Sequence, residues 1–205
     1  MSISSDDNWP KEYHSGPPGH MQAIGFITIN YTIFEGALFG LFSHHLSCAG
    51  MPEHLIWKLY NGLSGNKRPK AIQDVFAQYE KDPEVILHIN AIIDFYNICA
   101  GNRNLFAHAH DYRAMTEGVG QLMKILRDDW DKAHFLELDL PTLRAVADDM
   151  HRGFNYLWEV WAYLAYRDKG MGRQSFLASL WPRALPKKPQ SPRNLSPLQI
   201  LPKSG

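Results

Sequence analysis

The sequence predicts a mainly α protein, a four-to-five-helix bundle with a small β-hairpin before the last long helix. Two observations carry this. Apolar residues recur at spacings of three and four over 21–47, 83–108 and 141–169, with Gly and Pro marking the boundaries. Between the last two runs, residues 111–140 change character, and Gln121–Arg127 and His134–Leu138 partly alternate. The 205 residues, 45% hydrophobic and 20% charged, suit one domain with tails.

Residues 1–20 are polar and contain Gly16-Pro17-Pro18-Gly19, which predicts a flexible leader. The opening Met1-Ser2-Ile3-Ser4-Ser5-Asp6-Asp7 has no basic or apolar run, so no signal peptide is expected. A helical domain is expected over 21–181, beginning with a helix from Met21 to Ser47. Its apolar residues cover more than one face: Ile24, Ile27, Tyr31, Phe34, Leu38 and Phe42 on one, Phe26, Ile29, Ile33 and Ala37 on another. Ala23–Leu46 is long enough to cross a bilayer and carries one formal charge, Glu35. Against a membrane span, a carboxylate in mid-span costs roughly 2.5–3.5 kcal/mol, and Asn30, His44 and His45 also lie within it. A helix buried by the bundle and by a second subunit fits better. Gly50-Met51-Pro52 ends it.

Two shorter helices are expected at Glu53–Leu63 and Pro69–Tyr79. Asp82-Pro83-Glu84 then starts a third long helix, reaching about His108, with Asp as cap and Pro in the first turn. The hairpin follows, with Asp128-Asp129-Trp130-Asp131 at its turn. Pro141-Thr142 opens the last long helix, to Lys169, whose Phe154, Leu157, Trp158, Trp161 and Leu164 form an aromatic, core-facing side. Ser175–Trp181 reads as a short helix. Pro182–Gly205 holds six prolines and reads as a disordered basic tail.

Charge is balanced at 21 of each sign but unevenly placed. Met1–Asp168 has 14 basic and 21 acidic residues, a net of −7, whereas Lys169–Gly205 has seven basic and none acidic. A nucleic-acid arm and a solvated tail held near an acidic body are both compatible with this. Only Cys48 and Cys99 occur, far apart, which fits a reducing compartment, and a cytoplasmic location is expected.

The third long helix carries two stripes. The apolar one is Val85, Ile89, Ile92, Tyr96, Cys99 and then Arg103, at spacings of 4, 3, 4, 3, 4. A guanidinium continuing a core-facing stripe demands a partner. The polar stripe is Asn90, Asp94, Asn97, Gly101, Asn104 and His108, at the same spacings. Solvated helix faces favour Lys, Glu, Arg and Gln. Short hydrogen-bonding side chains plus a Gly predict instead a packed polar groove or a symmetric subunit contact. Arg103 and His108 sit about 140° apart around the helix, while Asn104 and His108 share a face.

Arg103-Asn104-Leu105-Phe106-Ala107-His108, near the end of a long helix, resembles the signature of the HEPN superfamily: Arg, a polar residue, then His a few residues on. The resemblance covers roughly residues 21–168. His110 fits a looser version of the same signature. The resemblance implies a bacterial-type, metal-independent endoribonuclease, of toxin–antitoxin or antiphage kind, with no cofactor. In that role His108 would be general acid or base, Arg103 would hold the scissile phosphate, and Asn104 would orient either. It also implies a homodimer that brings two motifs into one cleft, an RNA or nucleotide ligand, and an antitoxin-type partner protein. Many HEPN-like domains are instead non-catalytic nucleotide-binding or dimerisation modules, so the enzyme question stays open at this point. Glu35, Asp94, Asn97 and His110 are the candidate supporting residues of the groove.

A structural role for the same residues is equally concrete. Arg103 pairs with Glu35 and staples two helices, and His108 caps a helix C-terminus. No metal set is read from the ten histidines: His108 and His110 would share a face only in a strand, and His44 and His45 point apart on a helix.

Overall fold

The computed structural model describes residues 17–108, 111–116, 119–126, 129–170 and 181–195. Among the described residues five α-helices and a three-stranded sheet follow one another: α1 (Pro18–Cys48), α2 (Glu53–Gly62), α3 (Arg68–Tyr79), α4 (Pro83–Ala107), β1 (Asp111–Thr116), β2 (Val119–Leu126), β3 (Asp129–Asp139) and α5 (Leu140–Lys169). A single 3-10 turn, Gly65–Lys67, bridges α2 and α3.

The helix boundaries follow local chemistry. Pro17 caps α1 and Pro18 occupies its first turn, so the prolines expected in the leader begin the helix. Gly50, at φ +84°, ends it in a conformation that other residues rarely adopt. Asp82 Oδ1 accepts the Glu84 N–H at the start of α4, and Asp139 Oδ1 accepts the Thr142 N–H at the start of α5. Gly170, at φ +63°, closes α5.

The sheet is an antiparallel meander in the order β1-β2-β3. The expected hairpin is the β2–β3 pair, with Gln121 opposite Glu137 and Leu122 opposite Leu136. The added strand β1 lacks an apolar alternation to announce it. It forms by pairing along β2, with Tyr112 opposite Leu122. Leu122 and Leu138 are buried.

α1 packs along α5 and is flanked by α2, α3 and α4. The core is built from Ile27, Phe34, Leu38 and Leu41 of α1, Ile72 and Phe76 of α3, the Val85–Cys99 stripe of α4, and Leu143, Met150, Leu157 and Leu164 of α5. The second apolar side of α1 differs from expectation. Phe26, Ile29 and Ile33 are 50%, 55% and 46% exposed, because the neighbouring helices cover only the Ile27–Leu38 side. Trp158, expected in the core, is also half exposed, its ring centre 4.8 Å from that of Trp161 with the planes tilted by 32°. Among the described residues α1 is the one helix long and apolar enough to cross a membrane, and it is also the central packing element of the bundle.

Residues 182–195 correct the disordered-tail expectation. Asn102 Nδ2 donates to the Arg193 carbonyl, and Asn102 Oδ1 accepts the Leu195 N–H. Asp149 Oδ2 accepts the Arg193 N–H, and Leu185 and Leu195 pack on the core. Buried Asn102 and Asp149 thus supply the main-chain partners that a proline-rich segment cannot find within itself. The expectations for residues 1–16, for Ser175–Leu180 and for 196–205 fall outside the described residues.

The tightest approach in the bundle is at Gly153. A Cβ there would lie 2.7 Å from ring carbons of both Phe34 and Phe95. Gly153→Ala should therefore destabilise the chain by about 1–3 kcal/mol through overpacking. Gly36→Ala, with nothing within 4 Å of its added methyl, should stabilise it by about 0.5–1 kcal/mol. Urea unfolding of the two variants checks both signs.

Candidate functional site

The predicted motif lies on the last turns of α4. The apolar stripe behaves as its spacing predicts: Val85, Ile89, Ile92, Tyr96 and Cys99 are buried, and burial pushes the Cys99 thiol up to about 12. Arg103 sits at the edge of this stripe, half-buried. Its guanidinium carbon stands 4.5 Å over the Tyr31 ring of α1, and Nη1 donates to Asn104 Oδ1 at 3.1 Å. The side chain thus runs from the core face toward the polar face that Asn104 shares with His108. Asn104 and His108 are exposed, and the His108 backbone N–H closes the helix on the Asn104 carbonyl.

The polar stripe is not a groove packed within the chain. Asn90 accepts a hydrogen bond from Gln73 Nε2 of α3, but Asp94, Asn97, Gly101, Asn104 and His108 are all exposed. α3 meets the stripe at Asn90, and the stripe residues beyond it along α4 face solvent. His110 lies outside the described residues.

Glu35 does not pair with Arg103. Its Oε1 accepts the Tyr96 hydroxyl at 3.1 Å and lies 3.5 Å from the Tyr31 hydroxyl and 3.8 Å from Arg68 Nη1. The two tyrosine hydroxyls are 2.7 Å apart. Burial, reinforced by the Glu35 carboxylate, raises both phenols above their ordinary value of 10; the hydrogen bond between them pushes Tyr96 further up and pulls Tyr31 partly back. Tyr31 therefore has two jobs: its hydroxyl belongs to the Glu35 network, and its ring face carries Arg103. The expected staple is replaced by a cation–π contact because Tyr31 lies between the two charges in the stacking order of the bundle.

A second polar cluster lies at the opposite end, where the C-termini of α1 and α5 meet the segment preceding α4. His44 Nε2 lies 2.8 Å from Asp168 Oδ2, and His45 Nε2 lies 3.4 Å from Glu80 Oε2. Arg167 donates to Glu80 Oε2 at 2.6 Å and to both Asp168 oxygens. The backbone N–H groups of Lys81 and Asp82 donate to Glu80 Oε1. The two imidazoles were expected to point apart, yet their ring centres are 5.0 Å apart and both are buried. Adjacent residues on a helix diverge by about 100°, and here the diverging rings bracket one cleft between α1 and α5. Burial lowers both histidines below the ordinary 6.5, against the opposing pull of Asp168 on His44 and of Glu80 on His45. Burial acts most strongly and would raise Glu80 and Asp168, but the hydrogen bonds and charge of Arg167, joined by the Asp82 and Lys81 N–H groups at Glu80 and by His44 at Asp168, together outweigh it and hold both carboxyls below their ordinary values. Asn102, the tail clamp, is a third polar site that sequence reading missed. The pairing of His44 with Asp168 joins residues 124 positions apart, and no local spacing announces it.

Comparison with known protein families, curated proteins and solved structures finds no match for this chain.

Two outcomes follow from these geometries. Arg103→Ala should cost about 0.5–2 kcal/mol in denaturant unfolding, the range of a partly desolvated cation–π contact, rather than the roughly 3–5 kcal/mol of a broken buried ion pair. Stability should also fall on acidification. The unfolded histidines take up protons near pH 6.5 while folded His44 and His45 do not, so their contribution is full above that pH and is lost as pH falls below it. Glu80 and Asp168, held low, lose their contribution at still lower pH, in the same direction. The melting temperature should drop steadily from pH 7 to 4. A flat or rising profile contradicts buried neutral imidazoles.

Proposed function

We propose that the chain is a HEPN-like, homodimeric, metal-independent endoribonuclease of the cytoplasm, with Arg103, Asn104 and His108 as its working residues. The carrying observation is the Arg103–Asn104 hydrogen bond, which draws a core-stripe guanidinium toward the face occupied by His108. In this reading His108 exchanges a proton with the ribose 2′-hydroxyl or the leaving oxygen. Arg103, always charged, neutralises the phosphate oxygens. Asn104 retains a free amide N–H donor for a phosphate oxygen or for the imidazole. Asp94, Asn97 and Gly101 extend the same exposed face and supply the contact with a second copy. Dimerisation is integral to the proposal: an exposed His and Asn cannot exclude water from a reacting phosphate alone, and a facing subunit supplies the missing wall. A partner of the antitoxin type would act by covering the same face.

A non-catalytic nucleotide-binding or dimerisation module is the alternative. It draws on Arg103 being already engaged by Tyr31 and Asn104, and on the exposed apolar residues Phe26, Ile29 and Ile33.

The deciding experiment combines light scattering for oligomeric state with cleavage of a structured RNA in chelator. Cleavage by a dimer, reduced roughly 100-fold or more in both His108→Ala and Arg103→Ala with the fold intact, supports the ribonuclease. Wild-type-like cleavage by His108→Ala overturns it. A dimer with no cleavage leaves the module reading in possession of the face.

A further inference from the structure

The cluster between the ends of α1 and α5 has the composition of a metal site. His44, His45 and Asp168 each direct one ligand atom into the same space, all within 4.8 Å of one another. Two imidazole nitrogens there, His44 Nδ1 and His45 Nε2, are buried and have no hydrogen-bond partner. The His45–Glu80 separation of 3.4 Å is within ion-pair range but lacks hydrogen-bond geometry. Unpartnered buried polar atoms are uncommon and call for an explanation. A cavity of about 290 Å³ opens beside them, lined by His45, Cys48, Glu80, Arg167 and Asp168 among others, so the cluster has an entry path.

We propose that His44, His45 and Asp168, with Glu80 as a fourth donor, bind a divalent transition-metal ion of the zinc class. Two imidazoles and two carboxylates form a nitrogen–oxygen set that suits zinc better than magnesium or calcium. Zinc–ligand distances of about 2.0–2.2 Å place tetrahedral donors roughly 3.3 Å apart. The spread of up to 4.8 Å among His44, His45 and Asp168 therefore closes by side-chain rotation of the order of 1 Å, and Glu80 Oε2 already lies 3.4 Å from His45 Nε2. Glu80 and Asp168 face the ion with Asp82 nearby, and Arg167, Lys169 and Lys81 balance them from around the cluster, so the two carboxylates supply the charge directed at the ion. Arg167 and the Lys81 and Asp82 N–H groups already fix the two carboxylates, as the outer shell of a metal site does. α1 and α4 run antiparallel, with Tyr31 beside Arg103, so this site is at the other end of the bundle from His108. The inference is independent of the ribonuclease reading.

The test is titration of the chelator-stripped full chain with Co²⁺ and Zn²⁺ at pH 7.5. The expected result is one equivalent of Co²⁺ with visible ligand-field bands, displaced by Zn²⁺, and a melting temperature raised by either ion. His45→Gln and Asp168→Asn should each weaken binding at least tenfold, and His108→Gln should leave it unchanged. Circular dichroism establishes that the variants fold. If they do not, protection of His44 and His45 from diethyl pyrocarbonate by Zn²⁺ in the wild type decides in their place. Absence of stoichiometric binding by the wild type overturns the proposal, leaving an ion-pair network alone. Equal binding by folded His45→Gln and Asp168→Asn, or no protection of the two histidines, also overturns it.

Discussion

The bundle depends on one contact in which three helices meet with no atom to spare. The rings of Phe34 and Phe95 stand edge to face at 6.2 Å, and the backbone of α5 closes on both at Gly153. Only a residue without a Cβ allows that approach. The distance between α1, α4 and α5 is set there, and everything polar in the molecule is positioned by its height above or below that plane.

One turn from the junction on α1, Tyr31 stacks on Tyr96 and their hydroxyls converge with Glu35. This network satisfies a carboxylate inside an otherwise uncharged helix without a full buried ion pair, and Arg68 meets it from the partly exposed side. The outer ring face of Tyr31 then supports Arg103, whose guanidinium is weakly hydrated enough to rest on an aromatic surface. A lysine there would keep the charge but lose the planar donor that reaches Asn104. The far end of α1 is organised differently. There the neutral histidines sit among formal charges held by Arg167, and two ring nitrogens are left without partners.

Much of the architecture was legible from local chemistry. The Asp82-Pro83 and Pro141-Thr142 starts, the Gly50-Met51-Pro52 stop, and the spacing of Val85, Ile89, Ile92, Tyr96 and Cys99 all act within a few residues of chain, and the structure follows them. β1 was not legible, since its stabilisation comes from pairing with β2. Nor was the docking of residues 182–195: proline-rich composition argues for disorder, and only Asn102 and Asp149, distant in sequence, supply the partners that hold the segment down.

For the polar residues the division is sharper. Sequence alone determined that Arg103 lies on the core side of α4 and that Asn104 and His108 share another face, because helical periodicity is a property of consecutive residues. It also isolated Glu35 as the lone charge of α1. What Glu35 and Arg103 touch, whether the Asp94–His108 face is covered, and the meeting of His44, His45 and Asp168 were decided by tertiary packing. Partners separated by dozens to more than a hundred residues are chosen by the angle and depth at which helices cross, and no window along the chain contains that information.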